Sequence, residues 1–217
     1  MIGGDRGHHR FDGFGITQNR DIGLDGRHGG NLGPNRGFGG VRSQGGSHGG
    51  LLGGRELRVQ RRKFRLGRHR IADLLVRSGK KDEAIPEYEK AAQLNPADTA
   101  GQTNLATAYL ERARLDDAER VFKWVLTTDP TSAAAYNGMG LIAIQRQDAA
   151  KARGYFEKAV ELDPDLIEGQ LNLGLIYRMA GEGSKARTCF EIFLAKASPA
   201  QYGDVIPKVR DALSELR

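Results

Sequence analysis

Apolar residues recur at helical spacing over the last two thirds of the chain, and the pattern comes in pairs. Between residues 167 and 199, Leu171, Leu173 and Ile176 fall within one helical run, and Phe190 and Phe193 fall within the next. A glycine-containing polar stretch separates the two runs. This spacing predicts two amphipathic helices joined by a short turn.

The paired pattern has a period of 34 residues. Pro96, Pro130 and Pro164 are 34 residues apart, and Pro199 follows 35 residues later. Within each period the seventh residue is large and apolar, the eighth is small, the twentieth is alanine and the twenty-fourth is aromatic. These positions hold Ile71, Leu105, Met139 and Leu173; Ala72, Ala106, Gly140 and Gly174; Ala84, Ala118, Ala152 and Ala186; and Tyr88, Phe122, Phe156 and Phe190.

The period divides the chain from residue 65 to residue 199 into four repeats: 65–98, 99–132, 133–166 and 167–199. Each repeat is predicted to be a pair of antiparallel helices whose small residues permit close approach. Aspartates in "RLDD" and "RQDA" are expected to cap the second helix. Residues 200–217 carry an apolar stripe of Val205, Val209, Leu213 and Leu216, which predicts a helix that caps the stack.

This repeat resembles the tetratricopeptide repeat, a family built from 34-residue helix-turn-helix units. The segment "NLGLIYRMAGEGSKARTCFEIFLAKASP" is the best match within the chain, with Leu173, Gly174, Tyr177, Ala186 and Phe190 on the motif. The resemblance implies an all-α fold, a right-handed superhelical solenoid of antiparallel helix pairs. It also implies a protein-interaction scaffold, whose first helices line a concave groove that holds a peptide or a partner helix.

Positions two, five, six, nine and twelve of each repeat place the groove on this sequence. The residues expected to bind a partner are Thr103, Asn104, Thr107, Leu110, Asn137, Leu141, Ile144, Leu171, Asn172, Leu175 and Arg178. The leucines and Ile144 would take apolar anchors, and Arg178 would engage an acidic group. Asn104 and Asn172 match asparagines that bond a bound peptide's backbone in related arrays, although either could equally bond locally.

A carboxylate clamp, which some members of the family use to hold a partner's C-terminus, is not expected. The clamp needs a lysine and an asparagine in one repeat and basic residues two repeats later. Those places hold His69, Asp73, Ala134 and Gly138 here.

Composition separates the start of the chain from the repeats. Of the 30 glycines, 19 lie in residues 1–54, which predicts a disordered segment rich in glycine, arginine and histidine. A second interpretation is that this segment is translated from sequence upstream of the true start. Residues 1–66 hold 12 Lys/Arg against 5 Asp/Glu, whereas residues 67–217 hold 21 against 22. The net charge of +6 therefore comes from the leading segment.

Residues 55–64 are predicted to form a basic lead-in that is flexible or helical. Arg68 stands where an aromatic residue is expected, which predicts that the first helix of repeat one has a polar outer face that ends the stack. Arg58, Arg61, Arg62, Lys63 and Arg65 are the candidates for contact with a polyanion. A nucleic-acid-associated protein that uses residues 55–70 is therefore an alternative function. Another alternative is an accessory module of a separately encoded enzyme.

Candidate chemistry does not change this picture. "RSGKK" lacks the earlier glycine of a phosphate-binding loop, and all five histidines lie at or before His69, so neither a catalytic site nor a metal or cofactor site is expected. Cys189 is expected to be a buried small apolar residue. With no signal peptide and no apolar run long enough to span a membrane, the expected location is cytoplasmic.

Overall fold

Every regular element in the described part of the chain is an α-helix, so the predicted all-α fold is confirmed. The computed structural model describes residues 54–216, and within 54–66 it describes the surroundings of only the Val59 and Lys63 side chains. Apart from Gly54, the segment predicted to be disordered lies outside the described residues. The helices are α1 (Gly54–Arg77), α2 (Lys81–Leu94), α3 (Thr99–Glu111), α4 (Leu115–Thr128), α5 (Ala133–Gln145), α6 (Ala149–Leu162), α7 (Ile167–Met179), α8 (Gly183–Lys196), α9 (Pro199–Tyr202) and α10 (Ile206–Glu215).

The helices stack as consecutive pairs. α1 packs on α2, α3 on α4, α5 on α6 and α7 on α8, and the second helix of each pair packs on the first helix of the next. Links of three residues within each pair force the two helices to run antiparallel. The result is a solenoid in which each repeat contacts its immediate neighbours.

The turn between paired helices has the same backbone form in all four repeats. Position fifteen adopts a left-handed conformation at Gly79, Ala113, Gln147 and Gly181, with φ of 79°, 56°, 61° and 74°. The next amide then donates to a carbonyl five residues earlier, as from Lys80 to Leu75 at 2.8 Å and from Asp148 to Ala143 at 2.9 Å. Ala113 and Gln147 hold this conformation at a cost of about 1 kcal/mol each relative to glycine.

In repeats three and four, the small residue at position eight contacts the aromatic ring at position twenty-four. A Cβ built on Gly140 would lie 2.4 Å from Cε1 of Phe156, and one on Gly174 would lie 2.6 Å from Cε1 of Phe190. Each ring therefore rests directly on the backbone of the other helix of its own repeat. Phe122 also reaches forward, because a Cβ on Gly138 of the next repeat would lie 2.2 Å from its Cζ. The aromatic position thus contacts the first helix of its own repeat at Phe156 and Phe190, and the first helix of the following repeat at Phe122.

One of the two predicted aspartate caps is confirmed and the other is wrong. Asp148 accepts a hydrogen bond from the backbone amide of Lys151 at 3.0 Å at the start of α6. In "RLDD", α4 begins at Leu115, which places Asp117 inside the first turn. Its carboxylate instead pairs with Arg114 and Arg120, each at 2.7 Å.

The C-terminal segment forms a single turn, α9, followed by α10. Pro207 lies in the first turn of α10, where its missing N–H leaves no helical hydrogen bond unmade. A continuous helix from residue 200 would have placed this proline in its interior, so the chain turns after Tyr202 instead. Val209 is fully buried in the hydrophobic core, and Val205, Leu213 and Leu216 are partly buried and pack against the same core.

At the other end of the stack, α1 is continuous from Gly54, so residues 55–64 are helical and belong to the same helix as the start of repeat one. Arg68 pairs with Glu87 of α2, and the arginine lowers the pKa of that carboxyl. The expectation of a polar outer face is wrong, because Ile71 and Leu74 are exposed on α1.

Candidate partner-binding groove

The first helices of successive repeats form the inner layer of the stack. α3 contacts α5 and α5 contacts α7 in addition to their sequence neighbours. The groove predicted from the repeat positions therefore lies along three helices that touch one another. Side chains that the sequence separates by 34 or 35 residues can meet across this layer.

The apolar members of the predicted groove are packed inside the protein. Their side chains are between 1 and 9% exposed, and all of them belong to the hydrophobic core: Leu110, Leu141, Ile144, Leu171 and Leu175. They form one contiguous apolar layer rather than an open stripe. A charged substitution at any of them would therefore disrupt the fold as well as any binding.

The threonines of the groove hydrogen-bond within their own helix. The hydroxyl of Thr103 donates to the carbonyl of Thr99 at 2.8 Å, and that of Thr107 donates to the carbonyl of Thr103 at 2.9 Å. Thr103 is buried, whereas Thr107 and Asn104 are half-buried. Asn104 and Thr107 are therefore the accessible polar residues among the predicted groove positions of repeat two.

Asn137 of α5 and Asn172 of α7 form a buried hydrogen-bonded pair in the middle of the apolar layer. Nδ2 of Asn172 donates to Oδ1 of Asn137 at 3.0 Å, and the side chains of Asn172 and Asn137 are 1% and 0% exposed. The second polar atom of each amide, Nδ2 of Asn137 and Oδ1 of Asn172, has no hydrogen-bond partner. The pair therefore presents one unused donor and one unused acceptor side by side, each of which costs about 1–3 kcal/mol when left unpaired.

Arg178, the predicted contact for an acidic ligand, lies against the C-terminal helix. Its Nη2 is 2.5 Å from Oε2 of Glu215 in α10. The ion pair joins the last repeat to the capping segment. Any acidic ligand that engages Arg178 would therefore compete with Glu215.

The positions that a carboxylate clamp would use are also filled by other contacts. Nε2 of His69 lies 3.5 Å from Oδ2 of Asp98, and Asp73 accepts a hydrogen bond from the Tyr88 hydroxyl at 2.6 Å. The Phe122 ring fills the space that a side chain at Gly138 would need. These contacts agree with the absence of clamp residues from the sequence.

The residues expected to meet a polyanion lie in α1. Lys63 is exposed, and the side chains of Arg58, Arg61, Arg62 and Arg65 are outside the described residues. The backbone of α1 places all five on one continuous helix.

Other chemistry in the described residues is limited. Cys189 is buried as expected, and burial raises the pKa of its thiol to about 11. Among residues 54–216, no group of histidine, cysteine and acidic side chains converges as a metal site would require. None of the helices in this range is both long enough and apolar enough to cross a bilayer.

Pair formation between Asn137 and Asn172 was not evident from the sequence. They occupy positions five and six of consecutive repeats, so a comparison of equal positions does not align them. The signal that could have revealed the pair is the presence of an asparagine in the middle of each of two predominantly apolar first helices.

Comparisons with known proteins agree with this architecture. Two family models described as tetratricopeptide repeat match the chain, one over residues 103–167 and the other over residues 67–98. A search of curated proteins found no match.

Several solved structures are similar. A tetratricopeptide repeat protein of Thermus thermophilus is 24% identical, with a TM-score of 0.58 over 70% of this chain and 80% of that chain. The Cut9–Hcn1 hetero-tetramer of APC/C gives 17% identity and a TM-score of 0.61 over 75% of this chain and 33% of that chain. The first tetratricopeptide repeat domain of Spaghetti (RPAP3), bound to the HSP90 peptide SRMEEVD, is 24% identical, with a TM-score of 0.50 over 55% of this chain and 94% of that chain.

The repeat period, the paired helices, the ring-on-glycine contacts and the two family matches lead to one assignment. A fold of this kind serves in general as a scaffold for protein–protein interaction. The chain belongs to the tetratricopeptide repeat family.

Proposed function

We propose that this protein is a non-catalytic scaffold that binds an extended peptide segment of a protein partner along α3, α5 and α7. The observation that carries the proposal is the pair of unpartnered polar atoms on Asn137 and Asn172. A peptide backbone offers one carbonyl and one N–H per residue, which complement the free donor of Asn137 and the free acceptor of Asn172. The same complement remains if the amide oxygen and nitrogen of both asparagines are exchanged.

The energetics favour a binding role for the pair over a purely structural one. A single hydrogen bond between two buried amides returns about 0.5–1.5 kcal/mol, whereas two unpaired buried polar atoms cost about 1–3 kcal/mol each. The pair therefore lowers the stability of the isolated fold. A ligand that supplies the missing hydrogen-bond partners would offset this loss of free energy. This follows the general pattern in which a functional site is less stable than the scaffold around it.

The surrounding side chains define what the ligand must offer. Leu141 and Leu175 lie one helical turn from Asn137 and Asn172 on α5 and α7, and these leucines and both asparagines are buried. We expect the leucines to move when a peptide enters, and we expect the peptide to carry apolar residues that pack against the leucines in their new positions. Asn104 and Thr107 would hold the polar part of the same segment in repeat two.

The similarity to the Spaghetti domain supports peptide binding as a class of function but gives a different ligand. That domain is bound to an HSP90 peptide. In this chain the clamp positions hold His69, Asp73, Ala134 and Gly138, which supports a ligand that is not held by its terminal carboxylate. The proposed ligand is therefore an internal segment recognised through its backbone.

The test compares the wild-type chain with Asn137→Leu/Asn172→Leu. A library of displayed peptides is selected on the full-length wild-type protein, and affinities of the enriched peptides are measured for both proteins by calorimetry. We expect the double variant to be more stable to urea by about 1–3 kcal/mol, because two unpaired polar atoms are removed, and to bind the peptides about tenfold or more weakly.

A matched control is Gln93→Leu, which removes an exposed amide on α2, outside the predicted groove positions, and leaves the pair intact. It should keep the stability of the wild type. If the double variant loses stability and binds the selected peptides as tightly as the wild type, the pair is structural and the proposal fails.

A further inference from the structure

The outer face of α1 is apolar where the corresponding faces of the other first helices are covered. Ile71 is 47% exposed and Leu74 is 64% exposed. These are positions seven and ten of the repeat, and the six residues at the same positions in repeats two to four are no more than 8% exposed: Leu105, Met139, Leu173, Ala108, Ile142 and Ile176. The repeat pattern thus places core-type residues at a surface.

The cover in the later repeats is a helix. α2, α4 and α6 each pack on the first helix of the repeat that follows. Within residues 54–216 no helix takes this place on α1, since α1 is the first element and packs on α2 by its opposite side. The exposed face therefore has the shape and register that accept one more helix.

Basic side chains flank this apolar face. At 100° per residue, Val59, Lys63, Arg70, Ile71 and Leu74 fall within about one third of the circumference of α1. Lys63 and Arg70 are exposed, as is Arg77 at the end of the helix, and none of these three makes an ion pair with a described residue. α1 as a whole carries nine Lys/Arg and two acidic residues, and one of the acids, Asp73, accepts a hydrogen bond from Tyr88.

We propose that the α1 outer face, defined as Val59, Lys63, Arg70, Ile71 and Leu74, is a docking site for an acidic amphipathic helix of a protein partner. The partner helix takes the position that the second helix of a preceding repeat would occupy. Its apolar residues cover Ile71 and Leu74, and its carboxylates meet Lys63, Arg70 and Arg77. This site is separate from the groove and does not depend on the function proposed for it.

Charge and composition decide against the other occupants. Two copies of α1 packed face to face would bring two sets of nine basic residues together. Residues 1–53 contain six arginines against four aspartates and 18 glycines, so this segment supplies neither the negative charge nor the helix propensity that the face requires. Nucleic acid would satisfy the basic residues but would leave Ile71 and Leu74 uncovered.

The probe is a synthetic helical peptide of 14 residues, the length of the second helices of this protein. Leucines at i, i+3, i+4 and i+7 form its apolar face, glutamates flank them, and a lactam bridge on the far side holds the helix. Two further probes are the same peptide with every glutamate replaced by lysine, and a duplex DNA of mixed sequence. Binding of each fluorescent probe to the full chain is measured by anisotropy at low ionic strength.

The acidic peptide should bind the wild-type chain, and the lysine peptide should not. Ile71→Ser/Leu74→Ser should weaken binding by about ten- to a hundredfold because it removes the apolar contact, and Arg70→Glu/Arg77→Glu should weaken it by about tenfold. The matched controls are Met179→Ser, which alters another exposed apolar residue, and Lys208→Glu/Arg210→Glu, which reverses exposed charges on α10. Both controls should bind as the wild type does, and circular dichroism should show the same helicity in all variants.

Three results would overturn the proposal. The first is equal binding of the acidic peptide to the wild type and the Ile71→Ser/Leu74→Ser variant. The second is a wild-type chain that sediments as a dimer and becomes a monomer with those serines, which would assign the face to a second copy. The third is DNA that displaces the peptide and loses affinity with Arg70→Glu/Arg77→Glu alone, which would assign the face to a polyanion. None of these results bears on Asn137 and Asn172, so the two proposals fail independently.

Discussion

The apolar residues at the two ends of the stack differ in burial. At the C-terminal end, the last second helix, α8, is covered: Phe193 is fully buried, its ring meets the Tyr202 ring edge-on at a centroid distance of 5.3 Å, and Val209 of α10 is fully buried beside the stack. At the N-terminal end, Ile71 and Leu74 of α1 are exposed. The same repeating pattern therefore gives a closed surface at one end and an open one at the other.

The two ends also differ in the size of the residues at their repeat positions. Position twenty-seven is alanine in repeats one and three and valine in repeat two, but it is Phe193 in repeat four, where its ring contacts Tyr202. The larger side chain fills the space that a following repeat would have taken. At α1 the pattern keeps apolar residues of ordinary size, with no such adjustment. One end is thus adapted to end the stack, and the other retains the features of an internal repeat.

The largest expected effect comes from opening the covered end. Phe193→Ala should lower the free energy of unfolding by about 3–5 kcal/mol, because it removes a fully buried ring and leaves a cavity between α8 and Tyr202. Leu74→Ala at the open end should lower it by less than about 1 kcal/mol. Urea unfolding followed by circular dichroism gives both values. Equal losses of stability would mean that the two ends are packed alike, which would contradict a covered C-terminal end and an open N-terminal end.

Thiol reactivity sharpens the same contrast. Burial raises the pKa of Cys189 from 9.0 to about 11, so at pH about 8 roughly one thiol in a thousand is ionised instead of one in ten. In the folded chain Cys189 should therefore react with a disulfide reagent at least about a hundredfold more slowly than the thiol introduced by Leu74→Cys in a Cys189→Ala background. Absorbance of the released thiolate measures both rates. Full reactivity of Cys189 after addition of denaturant is the control, and a fast reaction in the folded wild type would show that this end opens.

The tyrosine at the covered end predicts a loss of stability in alkali. Burial, and then the hydrogen bond to Glu168, raise the pKa of Tyr202 well above its ordinary value. A raised pKa in the folded state contributes stability below the unfolded value of about 10, and this contribution is lost as the pH rises above it. Tyr109 and Tyr177, whose pKa burial raises to about 12, add to the same loss.

Tyr202→Phe tests this contribution. At neutral pH it should cost about 1 kcal/mol, the value of one hydrogen bond, and above pH about 10 the variant should lose less stability than the wild type. Urea unfolding at a series of pH values separates the contribution of the hydrogen bond from the contribution that depends on pH. A Tyr202→Phe profile parallel to that of the wild type would show that the pKa of Tyr202 is not raised in the folded state.

The parts of the fold that repeat within the chain could be predicted from the sequence. Gly140 and Phe156 recur as small and aromatic residues in every repeat, so their contact follows from one helix pair stacked four times. The left-handed turns could be predicted at Gly79 and Gly181 but not at Ala113 and Gln147, because their side chains give no local signal for that conformation.

The candidate site was harder to predict because it depends on contacts that do not repeat. The first helices lie close enough together to bury Leu141 and Leu175, and a positional rule for the groove does not include that spacing. Asn137 and Asn172 meet at unequal repeat positions, and Arg178 meets Glu215, which lies outside the repeats. The exposure of Ile71 was missed for a related reason: its position predicts burial only when a preceding helix is present.

The smallest expected effect comes from the open end itself. Ile71→Ser/Leu74→Ser should change the free energy of unfolding by no more than about 0.5 kcal/mol per site. Exposed side chains bury little apolar surface on folding, so little burial is lost when they are replaced. Leu105→Ser, at the same repeat position as Ile71 but buried in α3, which packs on α2, should lower it by about 2–5 kcal/mol. Urea unfolding of the purified chain, without a partner, measures both. A large loss from the α1 pair would mean that this face is already covered in the isolated protein, and then it could not be the free surface on which the acidic helix docks.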